Sequence, residues 1–279
     1  ASTSSSGVVG TTSRTRSQLI ITRCAYTPQG LPLKKNHRVR SGERVVLWRD
    51  VYDDVPPEIM LEAVFEDEHI LALNKPPSLP VHPTARHHRS TVTKLLEEQR
   101  PDEHLTLIHR LDRETSGVLL LARTRAADRL IKIQFQQREN LLKQYLAVCW
   151  GHADWEEWRC DLPLEPDADS PYRVKIRVAE DGQGQAASTS FEVLERRQNE
   201  TGAPYTLIRC TLHTGRQHQI RVHLAALQLA IVGDKLYGPD ESAFARGSDG
   251  ELTEEDMVML ELERQALHGA RVRAEGEVP

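Results

Sequence analysis

The highest density of reactive side chains lies between two mostly apolar segments. Residues 109–117 read His-Arg-Leu-Asp-Arg-Glu-Thr-Ser-Gly, and apolar runs at 105–108 and 118–121 flank them. A charged connection held between two buried strands is a place where a rigid scaffold presents reactive groups. The spacing by itself favours an ordinary polar turn, in which Asp112 caps the turn and Gly117 takes a positive φ. Asp112 is thus either a turn residue or a reactive carboxylate.

A second cluster is rich in hydrogen-bond donors. Residues 212–224 read Leu-His-Thr-Gly-Arg-Gln-His-Gln-Ile-Arg-Val-His-Leu, and no acidic residue occurs from 211 to 233. Arg216 and Arg221, with the neighbouring Gln and His side chains, suit an anion bound at the N-terminus of a helix. A solvated helix face is the alternative interpretation, but it leaves the absence of acidic residues unexplained.

The histidines and cysteines do not form a recognisable metal site. Cys24, Cys149, Cys160 and Cys210 lie far apart without a C-x-x-C pair, which is typical of buried thiols in a reducing compartment. The sequence also lacks an H-E-x-x-H motif, a P-loop and a G-x-S-x-G motif. We therefore expect neither a metal nor a cofactor.

Together the two clusters resemble the RluA-type pseudouridine synthases. The family pattern H-R-L-D-x-x-T-S-G matches residues 109–117, and T-G-R-x-H-Q-I-R-x-H-L matches residues 214–224. Further blocks agree in the same order: 74–83 with K-P-x-G-x-x-V-H, 143–145 with K-x-Y, and 233–238 with G-D-x-x-Y-G. The similarity covers residues 61–274. Ser78 replaces a usual Gly, and Gly269 stands where Ala is common.

The resemblance implies isomerisation of uridine in RNA to pseudouridine. This reaction breaks the C1′–N1 bond, turns the uracil and rejoins it through C5, without a cofactor or metal. The resemblance assigns Asp112 as the nucleophile, attacking C1′ or the ring, and Arg221 as the cation that keeps it ionised. It also assigns Tyr145 to stack on the uracil, with its hydroxyl a candidate for removing the C5 proton. The pattern around Tyr145 alone equally suits a core strand position.

A stacked uridine is inaccessible to Asp112, so the nucleotide must be flipped out of the RNA. By resemblance, Arg110 helps to fill the vacated stack, and its guanidinium can also bind phosphate. Lys75, Lys143 and Arg216 are candidates for phosphate contacts or for supporting the site, although each is otherwise an ordinary surface charge. The expected partner is ribosomal RNA of the large subunit or transfer RNA.

Two other functions compete with this interpretation. A glycoside or nucleoside hydrolase also attacks an anomeric carbon and normally uses two carboxylates, for which Glu114 is the second acid nearest to Asp112. A non-catalytic RNA-binding protein is the other alternative. An acid embedded in the motif contradicts it, because a carboxylate gains nothing from binding phosphates.

The charge distribution bears on RNA binding. The 279 residues carry a net charge of -5, which weakens the idea of a uniformly basic surface. Residues 150–170 and 249–264 each carry a net charge of -6, which leaves +7 for the remainder. We therefore expect a basic groove at the catalytic motifs, bordered by acidic segments, and RNA affinity that falls as salt rises.

The elements that must position these residues follow from apolar periodicity. Strands are predicted at 63–66, 70–74, 105–109, 118–122, 143–149, 173–178, 187–194, 206–212 and 270–274. Helices are predicted at 91–98, 126–137, 216–227 and 253–265. Strands in hairpin-like runs indicate an α+β fold, with a mixed, mostly antiparallel central sheet flanked by helices. The resemblance implies the pseudouridine synthase catalytic fold.

Three regions are predicted along the chain. Residues 1–18 are mostly small and polar and predict a disordered tail. Residues 19–57 predict a small basic lobe and linker, with strands at 19–22 and 44–48. Part of this lobe is similar to the end of an S4-type RNA-binding domain, although the two preceding helices are not found. Residues 58–279 are expected to form the catalytic domain.

The compartment and the oligomeric state are expectations of a weaker kind. The apolar runs are shorter than a membrane span, so no membrane association is expected. No acidic residue precedes Glu43, a pattern that also suits an organellar transit segment. We expect a cytoplasmic monomer, with organellar targeting left open.

Overall fold

A computed structural model describes residues 25–34, 36–38, 40–47, 55–84, 87–137, 141–180 and 183–274. The chain divides into two compact units, Ala1–Asp53 and Asp54–Pro279. In the first unit, β1 (Ala25–Tyr26) pairs antiparallel with β2 (Val46–Leu47). The predicted tail and the strand predicted at 19–22 lie outside the described residues. The domain limits at 18 and 57 and the similarity to an S4 domain stay predictions.

A mixed sheet of nine strands, counted over the described residues, organises the second unit. The strands of this unit are β3 (Ala63–Glu66), β4 (Ile70–Lys75), β5 (Thr106–Leu107), β6 (Ser116–Ala122), β7 (Leu141–Trp150), β8 (Glu157–Cys160), β9 (Leu164–Pro166), β10 (Ile176–Val178), β11 (Thr189–Gln198), β12 (Pro204–Leu212) and β13 (Leu267–Ala274). The sheet order is β3-β4-β6-β13-β7-β12-β11-β8, with β5 beside β6. β9 and β10 form a separate antiparallel pair.

Five helices accompany the sheet in the described part of the second unit. They are α1 (Val92–Gln99), α2 (Arg125–Gln137), α3 (Gln219–Ala226), α4 (Ala243–Asp249) and α5 (Glu254–Leu260). Within the sheet, β6 and β13 run parallel, and the other described strand pairs are antiparallel. The predicted α+β fold with a mixed, mostly antiparallel sheet is therefore confirmed.

The apolar run in β6 follows from burial of the sheet on both faces. Leu119 and Leu121 pack in the large core, whereas Leu120 lies in a smaller cluster on the opposite face. Ala127 and Ile131 of α2 cover that second cluster. A central strand covered on both sides has a nearly continuous apolar sequence, and alternation appears only in strands with one wet face.

The register of the sheet brings several sequence motifs into one row. Lys75 of β4 pairs with Gly117 of β6, and Gly117 pairs with Gly269 of β13. Gly269 in turn pairs with Tyr145 of β7, which pairs with Cys210 of β12. Motif residues that are far apart in the chain therefore lie on neighbouring strands.

Gly117 makes the close approach of β6 and β13 possible. Its φ is +109°, and a Cβ atom there would lie 2.2 Å from the carbonyl oxygen of Gly269. Any larger residue would push the two strands apart. The positive φ expected for Gly117 is confirmed, but it serves strand contact inside the sheet and not a polar turn.

The C-terminal part of the unit differs from the sequence prediction. The helix predicted at 253–265 ends at Leu260, because Glu261 takes a left-handed conformation with φ +62°. The Trp150 indole N–H donates to the Glu261 carboxylate at 2.7 Å, which holds this turn against β7. The final strand therefore begins at Leu267 and not at 270.

Other differences involve short or strongly polar segments. β8, β9 and α4 were not predicted, and the strand expected at 173–178 is reduced to β10. β8 reads Glu-Trp-Arg-Cys and lies at the sheet edge, where charged residues are common, so its sequence lacks apolar alternation. The helix predicted at 216–227 begins at Gln219, because residues 214–218 form the turn that precedes it.

Replacing Ser78 tests the cost of a left-handed residue in the 74–83 segment. Ser78 is exposed and has φ +61°, a region that favours glycine. We expect Ser78→Gly to raise the free energy of unfolding by about 0.5–1 kcal/mol, because relief of strain exceeds the added entropy of the unfolded chain. The melting temperature, followed by circular dichroism, should rise by about 1–4 °C. Ser78→Ala, which keeps the strain, should give no rise. Equal stabilisation in both variants would contradict the explanation.

Candidate active site

A cavity of about 570 Å³ opens beside the central strands of the sheet. Its wall is formed by the segment between β5 and β6, the beginning of β7, and the turn that leads into α3. The two clusters singled out in the sequence thus converge on one cavity. Four of the described lining residues are basic and one is acidic: Arg110, Lys143, Arg216 and Arg221 against Asp112.

Asp112 and Arg221 are in direct contact. The Arg221 Nη1 donates to Asp112 Oδ2 at 3.2 Å, and the Asp112 side chain keeps 28% of its surface exposed to the cavity. The Asp112 carboxylate therefore remains accessible to a ligand, while the guanidinium behind it, 9% exposed, does not. This contact agrees with the pairing that the resemblance implied.

Asp234 is the stronger partner of Arg221. Its carboxylate accepts from Arg221 Nε at 2.6 Å and from Nη2 at 2.8 Å, a bidentate pair, and it also accepts from the backbone N–H groups of Leu236 and Tyr237 at 3.0 Å. Burial alone would lower the pKa of Arg221, but the charge of Asp234 reverses this and raises it. Burial likewise opposes ionisation of Asp234, yet Arg221 holds the pKa of Asp234 below its ordinary value.

The sequence did not assign a role to Asp234. Asp234 belongs to the G-D-x-x-Y-G block at 233–238 and lies just beyond the acid-free run. Nothing in the sequence shows which basic residue it pairs with. One signal was present: Asp234 is the first acid after residues 211–233. Arg221 in that run is buried and needs a buried acid as its partner, and Asp234 is fully buried.

A hydrogen-bonded turn positions the start of α3. The buried Gln219 side chain accepts from the Thr214 hydroxyl at 2.6 Å and from the Arg216 N–H at 3.0 Å. Its amide nitrogen donates to the Ser188 carbonyl at 2.9 Å and to Thr189 Oγ1 at 2.8 Å. Gln219 thus fixes the turn to β11, and Arg221 follows on the first turn of α3.

Tyr145 lies on β7 at the inner wall of the cavity. Its side chain is buried, and its neighbour across the strand pair is Gly269. Burial raises the pKa of Tyr145, and the charges of Asp112 and Cys210 act in the same direction. The hydroxyl therefore keeps its proton at neutral pH. The absence of a Cβ on Gly269 leaves space against the edge of the tyrosine ring.

Lys75 is not placed to bind phosphate. It is fully buried, and its ammonium donates to three backbone carbonyls, those of Pro76 at 2.8 Å, Leu79 at 2.9 Å and Arg113 at 3.0 Å. All three protons are used, which leaves none for a phosphate and favours site support, the other role expected for Lys75. Burial lowers its pKa to about 7, although the charge of Asp112 opposes the shift. Its bond to Arg113 supports the segment that carries Asp112.

The other predicted basic residues line the cavity. Arg110 is exposed, directly before the buried Leu111. Arg216 donates through Nε to the Ala186 carbonyl at 3.0 Å, which leaves its two Nη groups for a ligand. The ammonium of Lys143 lies 5.2 Å from the centre of the Phe135 ring, a cation–π contact.

Glu114 does not join Asp112 in the cavity. Both of its carboxylate oxygens accept from Lys235 Nζ, at 2.9 and 3.0 Å, and only 14% of the side chain is exposed. It is absent from the described residues that line the cavity. The second carboxylate that a hydrolase would need is therefore held in a separate ion pair.

The described residues also bear on metal binding, on the cysteines and on membrane-spanning helices. Within them, no group of three His, Cys, Asp or Glu side chains could hold a metal ion. Cys149, Cys160 and Cys210 are buried free thiols. None of the described helices has the length and apolar character needed to cross a membrane.

The family model for RNA pseudouridylate synthase matches residues 69–226, which carry Asp112, Tyr145 and Arg221. The chain belongs to the RluA-type RNA pseudouridine synthases. It is therefore an isomerase that converts uridine in RNA to pseudouridine, and neither the hydrolase nor the non-catalytic alternative is favoured.

Individual relatives support the same conclusion. The chain is 43% identical over 190 residues to a dual-specificity RNA pseudouridine synthase RluA of Vibrio parahaemolyticus, covering 67% of this chain and 73% of the relative. It is 34% identical over 248 residues to a ribosomal large subunit pseudouridine synthase D of Xylella fastidiosa, covering 86% and 70%. The solved structure of human RNA pseudouridylate synthase domain containing 1 matches with a TM-score of 0.64 and 26% identity, covering 81% of this chain and 83% of that one.

Asp234→Asn tests whether Asp234 holds Arg221 in the RluA-type site. We expect the free energy of unfolding to fall by about 3 kcal/mol at neutral pH, since a buried base loses its bidentate partner. Because the pKa of Asp234 is lower in the folded protein than in the unfolded chain, its stabilisation is complete above about pH 4 and lost as the pH falls further.

Urea unfolding of both proteins at several pH values measures this difference, which should shrink in acid. Asp102→Asn is the matched control, because Asp102 is exposed and its loss should change stability by less than about 0.5 kcal/mol. A difference that persists unchanged below pH 3 would contradict the assignment.

Proposed function

We propose that Asp112 is the nucleophile of this pseudouridine synthase. The observation that carries the proposal is its position: it is the sole acid among the described residues that line the cavity, it is accessible, and it is bonded to Arg221. A uridine in this cavity meets a carboxylate next to its glycosidic bond. Attack at C1′ and attack on the ring both use this group, and the proposal covers both.

Arg221 binds the Asp112 carboxylate without neutralising it completely. The guanidinium makes two shorter bonds to Asp234 and one longer bond, 3.2 Å, to Asp112. One positive charge thus serves two negative ones, and the three groups together carry a charge of -1. The Asp112 carboxylate keeps electron density for attack, which a tight one-to-one ion pair would reduce.

Tyr145 supplies an aromatic surface for the uracil. Its buried ring lines the cavity, and the raised pKa of its hydroxyl makes it a poor base at neutral pH. We therefore favour stacking over the other expected role, removal of the C5 proton. The C5 proton leaves after the new bond to C5 has formed and Asp112 has been released as a free carboxylate, and Asp112 is the one carboxylate among the described lining residues that could accept it.

The basic residues at the cavity bind the RNA around the flipped nucleotide. Arg110 is exposed two residues before the nucleophile, where a planar guanidinium can replace a base in the stack. Arg216 and Lys143 contribute charge on the opposite wall, formed by the α3 turn and β7. Lys75 has no part in this contact, because its ammonium bonds are internal.

The RNA substrate follows from the named relatives. One is described as dual-specificity and another as acting on the large ribosomal subunit, so we propose ribosomal or transfer RNA for this chain. We propose a monomeric enzyme, because one chain supplies all the residues assigned here. Cytoplasmic action agrees with the bacterial relatives and the free buried thiols.

Asp112→Asn tests the reaction. RNA with tritium at C5 of uridine releases tritium to water during isomerisation but keeps its base attached. We expect the wild-type enzyme to release tritium without free uracil, and the variant to lose activity by on the order of 1000-fold or more. Asp102→Asn should retain wild-type activity. Undiminished release by Asp112→Asn, or appearance of free uracil, would contradict the proposal.

Arg216→Ala tests phosphate binding at the cavity. Each lost phosphate contact should reduce the slope of log K against log salt by about 0.7 for single-stranded RNA. The affinity of the Asp112→Asn protein for substrate RNA, measured by fluorescence anisotropy from 50 to 300 mM salt, gives this slope with and without Arg216→Ala. Arg159→Ala is the control, since Arg159 is exposed and paired with Asp161. Equal slopes for all three proteins would exclude a phosphate contact at Arg216.

A further inference from the structure

His218 is a residue of the cavity wall to which the reaction above gives no role. It precedes α3, and its φ of +54° places it in the left-handed region. It occupies the N-cap position of α3, yet its side chain makes no capping bond there. Backbone strain of this kind is unfavourable for a residue with a side chain and commonly occurs where that side chain has to be held in one direction.

We propose that His218 is a positioning residue for Asp112, and that Tyr237 fixes the tautomer in which His218 presents its Nε2–H to the Asp112 carboxylate. The inference rests on the proposed function, in which Asp112 is the nucleophile. Nε2 lies 4.0 Å from Asp112 Oδ2. Rotation of the carboxylate that shortens this distance by about 1 Å forms a hydrogen bond, and catalytic bonds are often long before substrate binds.

The contacts of Tyr237 determine which histidine nitrogen carries the proton. The Tyr237 hydroxyl accepts from the Ile176 backbone N–H at 2.9 Å. Its own proton needs an acceptor, and His218 Nδ1 lies 2.8 Å away. If Nδ1 accepts, the single proton of a neutral imidazole is on Nε2. The two rings meet edge to face, with centres 5.6 Å apart, so the contact is also well packed.

The surroundings of His218 keep it neutral. Burial and the positive charges of Arg221 and Arg110 oppose a second proton, whereas Asp112 and Asp234 favour one. The balance lowers the pKa of His218 to about 4. His218 is therefore a donor without charge throughout the neutral range, and it does not weaken the nucleophile as a second cation would.

The electrostatics of Arg221 explain why a second donor matters. Its charge is shared with Asp234, and its bond to Asp112 is the longest of the three. RNA that fills the cavity excludes solvent from the exposed part of the Asp112 side chain. A carboxylate without water needs hydrogen-bond donors to stay ionised and correctly oriented. Nε2 of His218 and Nη1 of Arg221 both approach the same oxygen of Asp112, Oδ2.

Three variants separate this role from a structural one. His218→Asn tolerates the left-handed backbone and can still contact Tyr237, but it has no group at the Nε2 position. His218→Gln places an amide nitrogen near the Nε2 position. Tyr237→Phe leaves residue 218 untouched and removes only the hydroxyl that fixes the tautomer. His152→Asn is the control, because His152 is exposed and bonds the Arg197 carbonyl outside the cavity.

Tritium release is measured for each protein under steady-state conditions from pH 5 to pH 9. We expect His218→Asn to lower kcat about 10- to 100-fold with little change in KM, the effect of one hydrogen bond to a charged group. The factor should be the same from pH 6 to pH 9, because His218 stays neutral there and its hydrogen bond does not titrate. His218→Gln should recover much of the loss. Tyr237→Phe should lower kcat by a smaller factor.

Two results would overturn this inference and leave the proposed function standing. One is a wild-type kcat in both His218→Asn and Tyr237→Phe, and the other is a loss confined to KM. Failure of the wild-type enzyme to release tritium would overturn the proposed function and this inference with it. The two failures are therefore distinguishable.

Discussion

The buried guanidinium of Arg221, held between two carboxylates, is the interaction on which the active site depends. A cation removed from water costs several kcal/mol unless acids and hydrogen bonds replace the lost hydration. Asp234 does this by accepting two short bonds from Arg221, and its carboxylate is itself held by the backbone N–H groups of Leu236 and Tyr237. Asp112, bound at 3.2 Å and partly exposed, is the member of the three that a ligand can reach, in keeping with its proposed role as the nucleophile. Under that proposal, one carboxylate holds the base and the other attacks the substrate.

The sheet explains why the three groups meet. Asp112 lies just before β6, Tyr145 lies on β7, and β13 separates the two strands. The contact between Gly117 and Gly269 allows this arrangement, because a side chain at Gly117 would meet the opposite backbone at 2.2 Å. β13 is therefore part of the site without contributing a reactive group.

Much of the fold and the main residues of the site were accessible from the sequence. The apolar runs predicted β3 and β6 closely. By resemblance, the two long motifs led to Asp112 and Arg221, and the K-x-Y block led to Tyr145. The sequence did not show which residues contact one another. Asp234 belongs to a motif without an obvious partner, and Lys75 reads as a surface base although the register of β4 buries it. Such facts depend on which strands are neighbours, and periodicity along one chain contains no information on that.

The net charge is a further property of the whole chain that does not predict the surroundings of the site. A total of -5 describes the whole chain, whereas the described wall of the cavity holds four bases and one acid. Under the proposed function, Arg110, Lys143 and Arg216 attract the RNA, whereas the charge of Arg221 is engaged by Asp234. Screening limits the reach of a charge to about 10 Å at moderate salt, so a total over the whole chain says little about the charge that a ligand meets in the cavity. RNA recognition is therefore proposed as a local property, and the proposed nucleophile can carry its negative charge there because the base that compensates it is buried behind it.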